Sequence, residues 1–255
     1  MALLDDLLDD LWRDYTALTP TAARIHQLLR DRGETVRHDH LALRTFDLPG
    51  VEIEALDRVF TAEGYEAAQS YEFADEKLVA YHYEHPDERR PRLLISALLV
   101  EELSPAAQEL IRALVAQIEP GASAHARFAI SGRPWPLAGA DHALLAGESP
   151  YAAWVAAFGF RAHHFAVDAS GLRSFAGLPE LHRFLIENGV RLEGGGEITG
   201  SPDMLEQSST VPDEVEIELA DGPMRLPSCA CELARRHPRP DGTLFQGFVA
   251  ESARR

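Results

Sequence analysis

The hydrophobic positions near the N-terminus follow the spacing of helices. Apolar residues recur three or four positions apart, at Leu4, Leu7, Leu8, Leu11 and Trp12. This spacing predicts an amphipathic helix. The segment Thr19-Pro20-Thr21 interrupts the pattern, and a second helix is predicted over residues 22–29. Gly33 supplies a stop signal, so both helices fall within residues 1–33.

Beyond these helices the apolar positions alternate, and this pattern occurs twice. The two copies begin with His40-Leu41-Ala42-Leu43-Arg44 and His164-Phe165-Ala166-Val167-Asp168, 124 positions apart. Alternation is the period of a β-strand. A helix-like segment follows each strand, and the two segments match at Leu56, Arg58 and Gly64 against Leu181, Arg183 and Gly189. The matched glycines stand where a left-handed C-cap ends a helix.

More strand-like sequence follows each helix. In the first copy it covers residues 78–83 and 92–95, and in the second 215–219 and 224–233, joined by the hairpin signal Asp221-Gly222. We therefore predict an α+β fold with two paired βαβββ modules that close a half-barrel. The alternative is that the two copies match by coincidence, because the matched positions are few.

The pattern also predicts how the chain is organised. We expect one domain over residues 1–255, with N-terminal helices in 1–33 and a first module in 36–103. A helical connection follows in 104–158, where Pro105 stands near the start of a helix. The second module occupies 160–250.

Composition and charge narrow the classes of partner. The 255 residues include 41 acidic and 24 basic side chains, a net charge of -17, which argues against nucleic-acid or anionic-membrane partners. The apolar runs are too short for a signal peptide or for the roughly 18 apolar residues of a membrane span. Cys229 and Cys231 are the two cysteines, spaced poorly for a disulfide. We expect a soluble cytoplasmic protein.

Each copy of the repeat begins with a histidine two positions before an alanine. Residues two apart on a strand share a face, so His40 lies beside Ala42, and His164 beside Ala166. If the modules close a half-barrel, the two histidines face each other across the space that the alanines leave open. Such a pair favours a metal site, whereas a single strand histidine is more often a hydrogen-bonded core residue.

The late strand at 224–233 offers a third ligand, Glu232. A glutamate inside an apolar strand is costly unless it is paired or binds a cation. The alternatives are a glutamate at a solvated sheet edge, or one paired with Arg235 or Arg236. Two histidines and a carboxylate suit non-haem iron(II), while zinc with the same ligands would favour hydrolysis, so ligand type leaves the metal open.

Seven segments stand in the order of a known family. They are HDHLALRTF at 38–46, EGYEAAQSYEFADEKLVAYHY at 63–83, LLISALLVEELS at 93–104, SPYAAWV at 149–155, HHFAVD at 163–168, MLEQSST at 204–210, and ELADGPMRLPSCACELARRHPRPDGTLFQGFVAESA at 218–253. With these segments the chain resembles the 2-oxoadipate dioxygenase/decarboxylase family (2-hydroxyglutarate synthase). That family is a branch of the vicinal-oxygen-chelate superfamily. The resemblance implies a vicinal-oxygen-chelate-type half-barrel of paired βαβββ modules.

The resemblance also implies roles for single residues. It implies a metal site of His40, His164 and Glu232. It implies further that Arg44, on the strand face of His40, acts in catalysis by binding a substrate carboxylate, for which a guanidinium fork is suited. The alternative for Arg44 is a surface salt bridge with Asp39 or Asp47.

Three further features bear on the pocket. Gln207 and Ser209 match a polar pair that the resemblance places at the substrate, although both could be turn-forming residues. The family usually has Asn before its second metal histidine, whereas this chain has His163, which therefore competes with His164 as the ligand. The chain also lacks C-terminal sequence found in longer members, so the identity of the 2-oxo acid stays open.

The implied function is that of an Fe(II)-dependent dioxygenase that decarboxylates a 2-oxo acid. With 2-oxoadipate it would give 2-hydroxyglutarate and carbon dioxide, without a separate 2-oxoglutarate. Its partners would be the 2-oxo acid and dioxygen, and the oligomeric state is open. The alternatives are another metal-dependent enzyme of the superfamily (an isomerase, a lyase or an extradiol-type dioxygenase) or a non-catalytic protein that binds a small acid.

Overall fold

The computed structural model describes residues 2–248. Its helices are α1 (Ala2–Leu18), α2 (Pro20–Asp31), α3 (Ile53–Ala62), α4 (Pro105–Val115), α5 (Gly139–Ala146), α6 (Pro150–Phe158) and α7 (Leu178–Glu187). Its strands are β1 (His38–Phe46), β2 (Glu66–Phe73), β3 (Leu78–Glu84), β4 (Arg92–Leu98), β5 (Ala162–Asp168), β6 (Thr199–Gly200), β7 (Leu205–Ser209), β8 (Glu214–Leu219), β9 (Gly222–Pro227) and β10 (Glu232–Arg236).

The main sheet is symmetric about its two central strands. Its order is β2-β3-β4-β1-β5-β10-β7-β6. The antiparallel pair β1–β5 lies at the centre, and each of these strands has a parallel partner on its other side, β4 and β10 respectively. The first module is β1, α3 and β2–β4, and the second is β5, α7, β6, β7 and β10. The predicted α+β half-barrel of two βαβββ modules is therefore confirmed.

The N-terminal helices cover the outer face of this sheet. The predicted stripe is buried at Leu4, Leu7 and Leu11, and the ring of Trp12 meets that of Phe165 on β5 at 5.2 Å. The chain breaks between α1 and α2 at Thr19, where the sequence predicts an interruption. None of the helices within residues 2–248 combines the length and hydrophobicity that crossing a bilayer requires.

The predicted strand over residues 224–233 is wrong. The hairpin at Asp221-Gly222 forms as β8 and β9, but these strands make a separate two-stranded sheet outside the half-barrel. Residues 228–231 lie in no strand, and side chains occupy two of their carbonyl groups. Trp154 Nε1 donates to the Ser228 carbonyl, and the Tyr15 hydroxyl donates to the Ala230 carbonyl. Glu232 instead opens β10.

The third strand of the second module is β7, which the apolar pattern missed. Its sequence Leu205-Glu206-Gln207-Ser208-Ser209 is largely polar, although four of its five residues are buried. The second module predicted from the sequence ends at residue 250, and the last segment that resembles the family ends at residue 253. Residues 249–253 lie outside the part of the chain that the structure describes.

Candidate metal and substrate site

Three predicted ligands meet on the concave face of the half-barrel. His40 comes from β1, His164 from β5 and Glu232 from β10, three adjacent strands of the sheet. All three side chains are buried, and each offers a ligand atom within 4.8 Å of the others. The register brings them together, because Ala166 pairs with both His40 and Glu232, while His164 pairs with Ala42.

The spacing of these atoms fits one divalent cation. Nε2 of His40 lies 3.3 Å from Nε2 of His164 and 3.5 Å from a carboxylate oxygen of Glu232. The other Glu232 oxygen lies 3.6 Å from Nδ1 of His164. With one nitrogen from each histidine and one oxygen of Glu232, these separations let three atoms lie about 2.0–2.2 Å from an ion between them, the usual length of metal–nitrogen and metal–oxygen bonds. The donor set of two imidazoles and one carboxylate leaves coordination positions for other ligands.

A buried ion pair fixes the orientation of His40. Asp39 Oδ1 lies 2.7 Å from Nδ1 of His40. The same carboxylate accepts hydrogen bonds from Nε and Nη2 of Arg236 at 2.6 and 2.9 Å. An ionised carboxylate only accepts hydrogen bonds, so Nδ1 of His40 carries the proton. The lone pair of Nε2 then points towards His164 and Glu232, as a metal ligand requires.

The charges of the site agree with this assignment. Burial alone would raise the pKa of Asp39, but the Arg236 guanidinium and His40 hold that pKa well below its usual range. Burial opposes protonation of His40, and its hydrogen bonds to Asp39 and Glu232 overcome this effect and raise its pKa, so a cation bound here would replace the proton that Nε2 shares with Glu232. Burial lowers the pKa of His164 to about 4, so its imidazole is neutral near pH 7 and can bind a cation.

His163 lies beside the three ligands but outside the cluster. Its Nδ1 is 2.9 Å from Nδ1 of His164, and its ring packs against Trp154 with centroids 4.7 Å apart. One of the two Nδ1 atoms must carry the proton of this contact. The structure therefore groups His164, rather than His163, with His40 and Glu232, and it gives His163 a position from which to orient His164.

The two predicted polar residues of β7 flank Glu232. Gln207 is buried and donates through Nε2 to Oε2 of Glu232 at 3.0 Å. Ser209 pairs with Glu232 across the strands and lines the adjoining cavity. Both lie in a strand rather than a turn. Gln207 thus contacts the candidate ligand Glu232, whereas Ser209 lines the adjoining cavity.

Arg44 reaches the same cavity from the far end of β1. Its guanidinium carbon lies 4.7 Å from the ring centroid of Tyr151 and 5.8 Å from that of Trp154, both on α6. The Tyr151 hydroxyl is itself fixed, since it donates to the Ser96 carbonyl at 2.6 Å and accepts the Thr45 amide at 3.1 Å. Burial lowers the pKa of Arg44. The aromatic rings thus hold the guanidinium in a set plane.

The alternatives that the sequence left open for these residues have clear outcomes. Asp39 pairs with His40 and Arg236, whereas the Arg44 guanidinium lies against the rings of Tyr151 and Trp154 in the lining of the adjoining cavity. Glu232 is 3 % exposed and lies between β5 and β7, so it is no solvated edge residue.

A cavity of about 720 Å³ adjoins the cluster. His164, Glu232, Arg44 and Ser209 line it, together with the non-strand segment 228–230. This volume is typical of small-molecule sites. Arg44 and Lys77 are the lysine and arginine side chains of its lining, so an anionic ligand next to the metal position would meet Arg44.

Sequence reasoning missed three residues that shape this site. Asp39 and Arg236 fix His40, and Tyr151 supports Arg44. Asp39 is adjacent to a predicted ligand, which was an available signal. Arg236 entered only as a partner for Glu232, and Tyr151 only within a matched segment.

Comparisons with known proteins agree with this geometry. The family model described as 2-oxoadipate dioxygenase/decarboxylase matches residues 6–238. The 2-oxoadipate dioxygenase/decarboxylase, chloroplastic/amyloplastic, of Oryza sativa subsp. japonica is 33% identical over 249 residues, covering 90% of this chain and 68% of the relative.

Two solved structures share the fold along nearly the whole chain. The hydroxyglutarate synthase of Oryza sativa, in complex with 2-oxoadipate, has a TM-score of 0.92 at 30% identity, covering 99% of this chain and 90% of the other. A Shewanella frigidimarina NCIMB 400 protein described as a "putative hydrolase" has a TM-score of 0.92 at 44% identity, covering 96% and 97%. The paired modules, the His-His-Glu cluster and the family match together show that this chain belongs to the 2-oxoadipate dioxygenase/decarboxylase family.

Proposed function

We propose that this chain is an iron(II)-dependent dioxygenase that decarboxylates a 2-oxo acid of the 2-oxoadipate type. One 2-oxoadipate and one dioxygen would give one 2-hydroxyglutarate and one carbon dioxide, with no separate 2-oxoglutarate consumed. The observation that carries the proposal is the convergence of His40, His164 and Glu232 beside Arg44 in one cavity. The relative named as this enzyme and the structure that binds 2-oxoadipate support the substrate class.

Each residue of the site has a defined part in this proposal. His40, His164 and Glu232 would hold the iron, which supplies adjacent positions where a 2-oxo acid and dioxygen can bind together. Asp39 keeps the proton of His40 on Nδ1, and Gln207 holds one oxygen of Glu232. These contacts limit ligand motion before any substrate arrives.

Arg44 would orient the substrate. Its guanidinium can bind a carboxylate with two parallel hydrogen bonds, and its stacking on Tyr151 reduces the entropy lost on binding. A substrate fixed both at the metal and at Arg44 has little rotational freedom, which lowers the entropic part of the barrier. Arg44 is therefore a binding and catalytic residue in this proposal.

The test measures oxygen uptake and carbon dioxide release by anaerobically iron(II)-loaded protein on a panel of 2-oxo acids that includes 2-oxoadipate. We expect coupled uptake and release in equal amounts. Arg44→Gln should raise KM by about tenfold or more, because it removes a charge-assisted contact, and should leave iron content unchanged.

The matched control is Arg183→Gln, since Arg183 is exposed on α7, away from the cavity. It should behave as the unsubstituted protein. No oxygen uptake with any acid, from protein that holds one iron per chain, would contradict the proposal. Hydrolysis by zinc-loaded protein would then become the function to examine, as the name of the Shewanella protein suggests.

A further inference from the structure

His163 stands at an irregularity of β5 that turns it towards the candidate site. In a regular strand, neighbouring side chains point to opposite faces, so His163 would lie behind the sheet when His164 faces the cavity. On β1, Ala42 pairs with His164. The next residue of β1, Leu43, pairs with Ala162. His163 is therefore an extra residue of β5, a β-bulge of the kind that redirects side chains next to active sites, and it lines the same cavity as His164.

Two contacts hold the ring of His163. Its Nδ1 lies 2.9 Å from Nδ1 of His164, and its plane meets that of the Trp154 indole at 77° with ring centroids 4.7 Å apart. The residue is nevertheless partly exposed, in contrast to the buried His164. Since His163 lines the cavity, the exposed part of its ring faces the space beside the candidate metal site.

The proton positions of the two neighbouring histidines follow from the candidate ligands. Nε2 of His164 lies 3.3 Å from Nε2 of His40, so these two atoms face the position of a shared cation. A nitrogen that binds a cation offers its lone pair, and the proton of a neutral imidazole then lies on the other nitrogen. His164 would therefore carry its proton on Nδ1 and donate it to Nδ1 of His163. By the same rule, the proton of His163 lies on Nε2.

The side chain of Arg44 reaches the same wall of the cavity. Trp154 contacts both His163 and Arg44, whose guanidinium carbon lies 5.8 Å from the indole centroid. The hydroxyl of Tyr151, the other aromatic neighbour of Arg44, already donates to the Ser96 carbonyl, so its proton is not available to a ligand. A guanidinium and an imidazole on one wall can hold the two oxygen atoms of a single carboxylate.

We propose that His163 is a substrate-binding residue, whose Nε2–H donates a hydrogen bond to the substrate carboxylate that Arg44 binds. His163 has this role only if the proposed function holds, because the ligand is the 2-oxo acid of that reaction. Selection for a carboxylate then depends on two donors, one charged and one neutral. A hydrogen bond to an ionised acceptor is stronger than one between neutral groups, so its loss should weaken binding measurably.

Two substitutions of His163 separate binding of the substrate from an effect through His164. Asn places its side-chain oxygen near the position of Nδ1, where it can accept the proton of His164, but it is too short to reach the position of Nε2. Gln places its amide nitrogen near the position of Nε2 and can donate into the cavity. His125→Asn is the matched control, since His125 is exposed and lies outside the lining of this cavity.

The test is isothermal titration of anaerobic, iron(II)-loaded protein with 2-oxoadipate, in which no turnover occurs because dioxygen is absent. We expect His163→Asn to weaken binding about tenfold or more, whereas His163→Gln and His125→Asn should weaken it less than about threefold. The iron(II) affinity of His163→Asn, titrated separately, should change by less than about tenfold. In Arg44→Gln protein, which no longer fixes the carboxylate, adding His163→Asn should weaken binding by less than about threefold.

The outcomes distinguish the role of His163 from the proposed function. Unchanged 2-oxoadipate binding in His163→Asn would overturn this role and leave the proposed function standing. A loss of iron(II) affinity as large as the loss of 2-oxoadipate binding would also overturn it, because His163 would then act through His164. An equal loss of binding with and without Arg44→Gln would overturn the shared carboxylate. Failure of the unsubstituted protein to bind 2-oxoadipate would contradict both, whereas binding that depends on His163 without oxygen uptake would contradict the reaction alone.

Discussion

Two pairs of histidines lie on opposite faces of the central sheet and differ in what their nitrogen atoms contact. His40 and His164 meet on the concave face, where Asp39 and Glu232 stand beside them. His26 and His38 lie on the outer face, with ring centroids 4.4 and 4.5 Å from that of Trp12. Within residues 2–248, both nitrogens of His26 and Nε2 of His38 are buried without a hydrogen-bond partner.

This difference separates a candidate ligand pair from a packing pair. Burial lowers the pKa of His26 to about 4 and that of His38 to about 3, so both pack as neutral aromatic rings. His40 instead has its pKa raised, because its contacts with Asp39 and Glu232 overcome the cost of burial. Burial alone therefore does not distinguish the two pairs, whereas the carboxylates of Asp39 and Glu232 beside one pair do.

An irregularity in β1 places the two types of histidine on different faces. Residues 38 and 40 would share a face in a regular strand. The pairing of β1 with β5 shifts register between His38 and His40, so His38 reaches Trp12 and Phe165 while His40 reaches His164. Extra residues in one strand commonly redirect a side chain next to an active site.

The largest effect, on iron(II) affinity, is expected from replacing a candidate ligand in the pair on the concave face, His40 and His164. His164→Asn should lower iron(II) affinity by more than about 100-fold, the upper limit for groups that only support a ligand. His163→Asn should change the affinity by less than about tenfold, because His163 contacts His164 and lies outside the cluster. Anaerobic iron(II) titration measures both. The reverse order, with His163→Asn the more damaging, would make His163 the ligand.

A smaller effect on iron(II) affinity is expected from removing the Asp39 carboxylate, which contacts His40 on the concave face. Asp39→Asn should reduce iron(II) affinity by about 10- to 100-fold, since His40 loses the acceptor that fixes its tautomer. It should also lower the free energy of unfolding by about 3–5 kcal/mol, because Arg236 is left buried without its counter-charge. Metal titration of the folded variant and urea unfolding separate the two effects.

Asp47→Asn is the matched control for this substitution, since Asp47 is an exposed residue just beyond β1. It should leave both the iron(II) affinity and the free energy of unfolding unchanged. Equal metal affinity in Asp39→Asn and in the unsubstituted protein would contradict the role given to Asp39.

The smallest effect is expected on the outer face, and it depends on pH. Because the pKa of folded His26 is lowered to about 4, the unfolded chain binds a proton more readily below the ordinary value of 6.5. The stability due to neutral His26 is therefore complete above pH 6.5 and is lost as the pH falls towards 4. His26→Phe should remove this loss. The difference in free energy of unfolding between the variant and the unsubstituted protein should therefore favour the variant by about 2 kcal/mol more at pH 5 than at pH 7.5.

Urea unfolding at the two pH values measures this effect, with the comparison at pH 7.5 as the internal control. An identical pH dependence in His26→Phe and the unsubstituted protein would show that His26 does not supply it. Metal affinity should be the same in both, because His26 lies on the outer face of the sheet.

Much of the fold could be predicted because its signals are local. The alternation at His40–Arg44 and His164–Asp168, and the helical spacing near Leu4, are properties of short stretches. The repeat then predicted symmetric strands, and with them the meeting of His40 and His164. The prediction failed at residues 224–233, because continuous strand-like sequence does not reveal that Trp154 donates to the carbonyl of residue 228 and Tyr15 to that of residue 230.

The sequence by itself predicted the two βαβββ modules and the facing histidines, since period and repetition are encoded residue by residue, and it offered Glu232 as a candidate third ligand with other roles left open. Only the tertiary structure decided the partners of these residues. Asp39 meets Arg236 across 197 positions, and Tyr151 supports Arg44 across 107 positions of chain. Such contacts depend on how the sheet closes and which helices cover it. Residues that are distant in sequence show no common periodicity, so the pattern of apolar positions does not predict these contacts.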